Sequence, residues 1–189
     1  MTDLADDTIR RLASRQADYN RGTWDSACPG GGRHMVGHES HEQNALVDAV
    51  AYAESFCTAR LQLMAAVPDN DVSTWPKRQR AWSKHAKLAL TDAGADWLQL
   101  RGYVEIRNAI QHGLGRLTNR QLSGGDRQLT LDWIRRTDCY LDGDAIRLVS
   151  SDVAACFATC TRFVVWLDTE AALPQSTRDS KPRKKIDPD

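Results

Sequence analysis

An arginine, an asparagine and a histidine lie close together in the stretch EIRNAIQHGLGRL, residues 105–117. These residue types suit phosphoryl chemistry, because a histidine titrates near neutral pH and can move a proton, while an arginine can bind phosphoryl oxygens as charge builds. Asn108 and His112 are four residues apart, so on a helix they stack and can form a hydrogen bond that fixes the imidazole. We therefore take Arg107, Asn108 and His112 as candidate catalytic residues that require no metal or other cofactor.

Two glycines follow the histidine. Inside a helix each glycine costs ~1 kcal/mol relative to alanine, so Gly113 and Gly115 predict a helix end or a close approach by another backbone. Apolar residues on an arc of about 80° of the helical wheel predict the buried stripe, namely Tyr103, Ile106, Ile110, Leu114 and Leu117. Arg107 and His112 lie about 140° apart on the same wheel. One helix is then a poor pocket for both side chains, and we predict a homodimer whose second copy supplies the opposing groups.

The spacing of an arginine five residues before a histidine occurs three times in the chain. The pair of Arg33 and His38 lies in a glycine-rich loop, and the pair of Arg80 and His85 has no following glycine. Only the third copy, at Arg107, combines a helical frame, a neighbouring polar residue and glycines. The sequence therefore favours this copy as the site.

The stretch RNAIQHGLGRL resembles the active-site signature of HEPN domains, an α-helical family with metal-independent ribonuclease sites. A long helix containing AESFCTARLQLMA precedes it and a closing helix follows a short insert, so the resemblance covers roughly residues 40–173. It implies a dimer whose two motifs meet at the interface, and cleavage of RNA through the 2′-hydroxyl. One branch of the family has a tyrosine, which a partner can adenylylate, two residues after the histidine. This chain has Leu114 there, so that form of control is not expected.

Two classes of function remain open at this stage. The first is an endoribonuclease, a toxin or antiviral defence effector by its resemblance, with RNA as substrate and an antitoxin or regulatory protein as a possible partner. The second is a catalytically inactive helical module that dimerises or binds a partner in RNA processing or defence. The motif favours the first, because a scaffold has no need of Asn108 stacked on His112 beside Arg107.

Apolar periodicity predicts a mainly α bundle of four or five helices, with a small hairpin or irregular insert before the last helix. The β-formers in LTLDWIRR and YLDGDAIRLV, with Asp142-Gly143 as a turn, place that insert at 127–149. The helices are predicted near 3–20, 44–66, 73–94, 96–117 and 150–173. In domain terms we expect an N-terminal helix with a glycine-rich loop, a HEPN-like helical domain and a disordered basic tail, at 1–41, 42–173 and 174–189.

Charge limits where RNA could bind. The chain has 25 basic and 25 acidic residues, so a polyanion would need a local patch. The candidates are one face of the second long helix and a residue after the motif, namely Lys77, Arg80, Lys84, Lys87 and Arg116; the plainer interpretation is a solvated face. The acidic start and short apolar runs predict a cytoplasmic protein with neither signal peptide nor membrane span.

Cysteines and histidines raise a further alternative. Cys57, Cys156 and Cys160 lie in helical patterns, which predicts buried, reduced thiols rather than disulfides. A zinc site is conceivable in the loop that carries Cys28, His34, His38 and His41. That spacing matches no regular ligand pattern, so we expect a polar loop and no bound metal.

Overall fold

The structure is a computed structural model that describes residues 1–22, 38–123 and 126–174, with backbone alone at 38–40. Within these ranges it has seven α-helices: α1 (Asp3–Asn20), α2 (His38–Met64), α3 (Trp75–Ala81), α4 (Ala95–Gly113), α5 (Asn119–Leu122), α6 (Arg127–Arg135) and α7 (Ser150–Ala172). The only strands there are β1 (Tyr140–Asp142) and β2 (Ala145–Arg147), which pair in antiparallel fashion. The predicted mainly α bundle with a small hairpin before the last helix is confirmed.

The long helices α2 and α7 pack against each other, and α1 and α4 each pack against both. Helix α6 packs against α4. The predicted apolar stripe of α7 is buried throughout, at Val153, Cys156, Phe157, Cys160, Val164 and Leu167. Burial of such stripes from several helices forms a single core and supplies most of the driving force for the bundle.

The first helix is fastened to the last one by a buried carboxylate. Asp168, which is 2% exposed, accepts hydrogen bonds from the Thr2 backbone N–H at 2.8 Å and the Thr2 hydroxyl at 2.7 Å. It also accepts a bond of 2.9 Å from Arg60 Nε. Burial alone would raise the pKa of Asp168, but these hydrogen bonds and the charge of Arg60 outweigh it, so the pKa lies below its usual value. Helix α1 therefore lies in the same core as the domain expected at 42–173, to which it contributes Ala5 and Leu12.

The predicted single helix over 73–94 is wrong in its second half. Helix α3 ends at Ala81, a π-helical turn spans Trp82–Ala86, and a 3-10 turn follows at Leu90–Ala93. Trp82 is fully buried and its Nε1 donates to the Cys57 carbonyl oxygen at 3.1 Å, while Lys87 adopts a left-handed conformation with φ of 53°. Tertiary contact of the indole and the turn at Lys87 prevent the α-helix from continuing.

The predicted β-rich insert at 127–149 is also wrong in its first part. The stretch LTLDWIRR lies largely in α6, whose buried face includes Thr130 and Ile134, and only YLDGDAIR forms the hairpin. Gly143 supplies the positive φ of the turn, at 65°. Strand preference depends on what a segment can pack against, and here the segment packs as a helix against α4.

The cysteines in the core confirm the expectation of buried thiols. Cys57, Cys156 and Cys160 are fully buried, and Cys139 is 7% exposed. Burial raises the pKa of Cys57 to about 12, more than Arg78 and Trp82 lower it. Such a thiol stays protonated at neutral pH and is a poor nucleophile.

The contact of α4 with α6 depends on the absence of a side chain at Gly102. A Cβ at this position would lie 2.3 Å from the Trp133 carbonyl oxygen and 2.4 Å from Thr137 Cγ2. We expect Gly102→Ala to lower the free energy of unfolding by about 1–3 kcal/mol, because overpacking outweighs alanine's better helix propensity. Urea unfolding measures the loss. Gly113→Ala is the control, since its Cβ would lie 3.3 Å from the Thr118 Cγ2 methyl and no closer than 3.6 Å to the Thr118 backbone; an equal loss there would contradict the packing argument.

Candidate functional site

Helix α4 ends at the first of the two glycines after His112, and a second backbone bonds to the other. Leu114 adopts a left-handed conformation with φ of 53°, and both its N–H and that of Gly115 point to the Ala109 carbonyl. Gly115 has φ of 84°, and its carbonyl accepts a hydrogen bond of 2.8 Å from the backbone of Ile146 in β2. The predicted helix end and the approach of another backbone are therefore both present, although the left-handed residue at the helix end is Leu114 and a Cβ on Gly115 would meet the Gln43 side chain rather than that backbone.

The left-handed turn changes the predicted apolar stripe of this helix. Tyr103, Ile106 and Leu117 are buried and Ile110 packs partly against the core, as expected. Leu114 is instead 92% exposed, because the chain leaves the helical path at this residue. The stripe is therefore correct at four positions and wrong at Leu114.

His112 lies on the last turn of α4 with its side chain exposed to solvent, while Asn108 is half-buried one turn earlier. The hydrogen bond expected between them is not formed among the side chains that the structure describes. The imidazole is therefore not fixed by Asn108. It is open to a ligand or to a second chain.

Arg107 faces helix α2 rather than His112. Its Nη1 donates to Glu54 Oε2 at 2.7 Å and its Nη2 to Glu54 Oε1 at 3.2 Å, and each side chain is 15% exposed. This two-point contact between guanidinium and carboxylate is the strong form of ion pair and fixes the guanidinium plane. Within one chain, the structure thus brings Arg107 together with Glu54 and not with the histidine.

A second arginine shares the same carboxylate. Arg78 on α3 donates from Nη1 to Glu54 Oε1 at 2.9 Å and from Nε to Thr58 Oγ1 at 2.8 Å. We call Glu54, Arg78 and Arg107 the Glu54 cluster. Its two positive charges and one negative charge leave one net positive charge. Arg107 Nε is buried and has no hydrogen-bond partner in the described chain, which costs about 1–3 kcal/mol unless something else supplies one.

Sequence reasoning missed Glu54 and Arg78. Glu54 stands in the largely apolar stretch NALVDAVAYAESFC, where a half-buried carboxylate requires a compensating cation. That requirement is the signal that could have identified it. The neighbouring sequence does not indicate which cations pair with Glu54, because Arg78 and Arg107 lie 24 and 53 residues further along the chain.

The predicted basic stripe is partly assembled. Arg80 and Lys84 are exposed and line a shallow depression on α3 and the π-helical turn, with Pro76, Gln79 and Ser83. Lys77 is instead engaged locally, since its Nζ donates to the Asn70 carbonyl at 2.8 Å and to its side-chain oxygen at 3.0 Å. Only Arg80 and Lys84 are thus brought to one place.

The other predicted binding residues do not line this depression. Lys87 is exposed in its left-handed turn, and Arg116 forms an exposed ion pair with Asp144. The loop considered for zinc falls mostly outside the described residues, including Cys28, His34 and the side chain of His38. The basic tail from residue 175 lies outside them too. In the part of the chain that is described, no three histidine, cysteine or acidic side chains are grouped to hold a metal ion.

Comparison of this chain with protein-family models, with curated proteins and with solved structures finds no match. The described helices include none with the length and apolarity needed to cross a membrane. The site must therefore be interpreted from its own geometry.

The Glu54 cluster yields a stability test. Glu54→Gln leaves two guanidinium groups side by side without their counter-charge, so we expect unfolding free energy to fall by about 1–3 kcal/mol in urea. Asp48→Asn is the matched control on the same helix. It removes the carboxylate paired with Arg15, whose side chain is 25% exposed, and should cost about 1 kcal/mol or less. Equal losses would mean that Glu54 is an ordinary surface partner.

Proposed function

We propose that this protein is a metal-independent endoribonuclease that cleaves RNA by attack of the 2′-hydroxyl, and that it acts as a toxin or an antiviral defence effector. The observation that carries the proposal is the exposed imidazole of His112 at a helix end, five residues after an arginine held in a fixed orientation. The resemblance of RNAIQHGLGRL to the HEPN signature supports the same chemistry.

The roles follow from the chemistry of RNA cleavage. His112 moves a proton while the 2′-oxygen bonds to phosphorus and the bond from phosphorus to the 5′-oxygen breaks. The 5′-oxygen leaves as a hydroxyl, and the other product is a 2′,3′-cyclic phosphate or its hydrolysis product. Arg107 stabilises the charge that builds on the phosphoryl oxygens. Asn108, which does not bond to His112 in the described structure, would contact the phosphate.

A homodimer is part of the proposal. Arg107 faces α2 while His112 faces solvent, so one chain does not present both to the same phosphate. A second copy related by a twofold axis would place its His112 opposite the first chain's Arg107. Leu114, an apolar side chain that is 92% exposed beside His112, supports contact at this end of α4.

A basic surface near the site supports RNA as the ligand. Arg78 joins α3 to the Glu54 cluster, and Arg80 and Lys84 extend from α3 and the adjoining turn into solvent. Such a local patch can neutralise neighbouring phosphates even though the whole chain has no net charge.

One observation favours a second candidate, a catalytically inactive helical module that dimerises or binds a partner such as an antitoxin. Both terminal nitrogens of Arg107 are bonded to Glu54, as in a purely structural ion pair. In that function the guanidinium holds α4 on α2 and never meets RNA. Activity measurements separate the two candidates.

Cleavage of transfer and messenger RNA in chelator tests the first candidate. His112→Ala should lose about 10²- to 10⁴-fold in rate while remaining folded, because one general acid-base group is worth that much. Arg107→Ala should lose a comparable amount, since the developing charge loses its cation. His85→Ala and His38→Ala, from the other two copies of the spacing, should keep nearly full activity. A loss at His85 equal to that at His112 would mean that the wrong copy was chosen.

Mixing two inactive variants tests the shared site. If Arg107 of one chain works with His112 of the other, Arg107→Ala and His112→Ala together form heterodimers in which one of two sites is intact. After subunit exchange the mixture should recover about a quarter of the wild-type rate. Sedimentation should show a dimer at micromolar concentration. A mixture that stays inactive although heterodimers form, or a wild-type monomer, would contradict the shared site.

A further inference from the structure

We propose that Arg78 acts with Arg107 as a two-guanidinium site for a single phosphodiester group, with Glu54 as the residue that holds the two side by side. The identity of the ligand as RNA rests on the proposed function. The assignment of Arg78 rests on the geometry of the Glu54 cluster, which neither the motif nor its spacing indicates.

The two guanidinium groups are close enough to share one small anion. Arg78 Nη1 and Arg107 Nη2 both donate to Glu54 Oε1, at 2.9 Å and 3.2 Å. Their side chains are 11% and 15% exposed, so the pair is largely enclosed but still reaches solvent. An anion that contacts the exposed part of one arginine therefore lies within the electrostatic reach of the other.

The pair has hydrogen-bond donors to spare. An arginine carries five N–H groups, so the two have ten, of which the described structure uses four, on Glu54 and Thr58. Arg107 Nε is among the donors without a partner in the described chain, although it is buried. Unused guanidinium donors in a fixed orientation suit the oxygens of a phosphate, which they can bind in pairs.

Charge indicates which phosphate fits. Glu54 cancels one of the two positive charges, so the cluster keeps a single net positive charge. A phosphodiester inside an RNA chain carries one negative charge and matches it, whereas a terminal phosphate carries nearly two. Arg80 and Lys84, exposed beyond Arg78, can then contact neighbouring phosphates of the same strand.

Salt-dependent binding of a single-stranded 2′-deoxy oligonucleotide, which cannot be cleaved by 2′-hydroxyl attack, tests the proposal. We expect Arg78→Gln to weaken binding by about 10- to 100-fold and to reduce the slope of log K against log salt by about 0.7, the share of one phosphate contact. Arg15→Gln is the matched control, because Arg15 is also paired with a carboxylate but lies on α1. It should change neither quantity. If Arg78→Gln does not fold, Arg78→Lys takes its place. We then expect weaker binding at an unchanged slope, because lysine keeps the positive charge but lacks the planar guanidinium that forms paired hydrogen bonds.

The outcomes separate this proposal from the proposed function. Arg78-dependent binding by a wild-type protein that cleaves no RNA would support the phosphate site and refute the ribonuclease. Cleavage that requires His112, with binding affinity and slope unaffected at Arg78, would refute the phosphate site alone. Equal effects in the Arg78 and Arg15 variants, or no oligonucleotide binding by the wild type, would also overturn it.

Discussion

A single carboxylate joins three helices of this protein. Glu54 on α2 accepts a hydrogen bond from Arg78 on α3 through Oε1 and hydrogen bonds from Arg107 on α4 through both oxygens, so one carboxylate orients both arginines. A half-buried carboxylate without such partners would be costly, and so would two adjacent guanidinium groups without a carboxylate. The three side chains therefore form a unit in which replacing one changes the charge balance and the orientation of the other two. The unit also links α3, with its exposed basic residues, to α2 and α4, in addition to the burial of Trp75 and Ala81.

The same interaction bears on both candidate functions. An arginine that already has a carboxylate partner is oriented before any ligand arrives, which lowers the entropy lost when it binds phosphate. Glu54 also competes with a ligand for the N–H donors of Arg107, so it reduces the free energy gained when the ligand binds. A ligand has to use the N–H groups that Glu54 leaves unoccupied. Whether Arg107 is catalytic or structural thus depends on those remaining donors rather than on the presence of the ion pair.

Sequence periodicity predicted correctly those helices whose extent is set by the burial of a regular apolar stripe. Helix α7 is the clearest case, since its apolar stripe is buried at every predicted position. The prediction failed at Lys87 and at Leu114, where single residues adopt left-handed conformations that no apolar spacing encodes. It failed again at LTLDWIRR, because strand-favouring residues form a helix when a neighbouring helix offers a surface to cover. Tertiary contacts rather than apolar periodicity determine the structure at these positions.

The candidate site likewise has a part that was predictable from the sequence and a part that was not. Spacing placed Arg107, Asn108 and His112 on one helix and predicted the helix end after them, because these are local properties of the chain. The partner of Arg107 could not be deduced, since Glu54 lies 53 residues earlier and spacing within one helix carries no information about it. The wheel correctly separated Arg107 from His112. The expected bond between Asn108 and His112 did not form, because helical stacking makes a contact possible without making it more favourable than exposure to water.

The attachment of the hairpin to the end of α4 has a mechanical consequence. The Ile146 N–H bonds to the Gly115 carbonyl at 2.8 Å, and the Leu117 N–H bonds to the Asp144 carbonyl at 2.7 Å. These main-chain bonds make the segment after His112 a short third partner of the hairpin. The hairpin therefore holds the segment that leaves α4 at two points, Gly115 and Leu117, and so restrains the path of the chain just after His112. The turn at Gly143 is exposed and lies more than 30 residues from the histidine in sequence, yet Asp144 and Ile146, just after that turn, are bonded to the segment that follows the histidine.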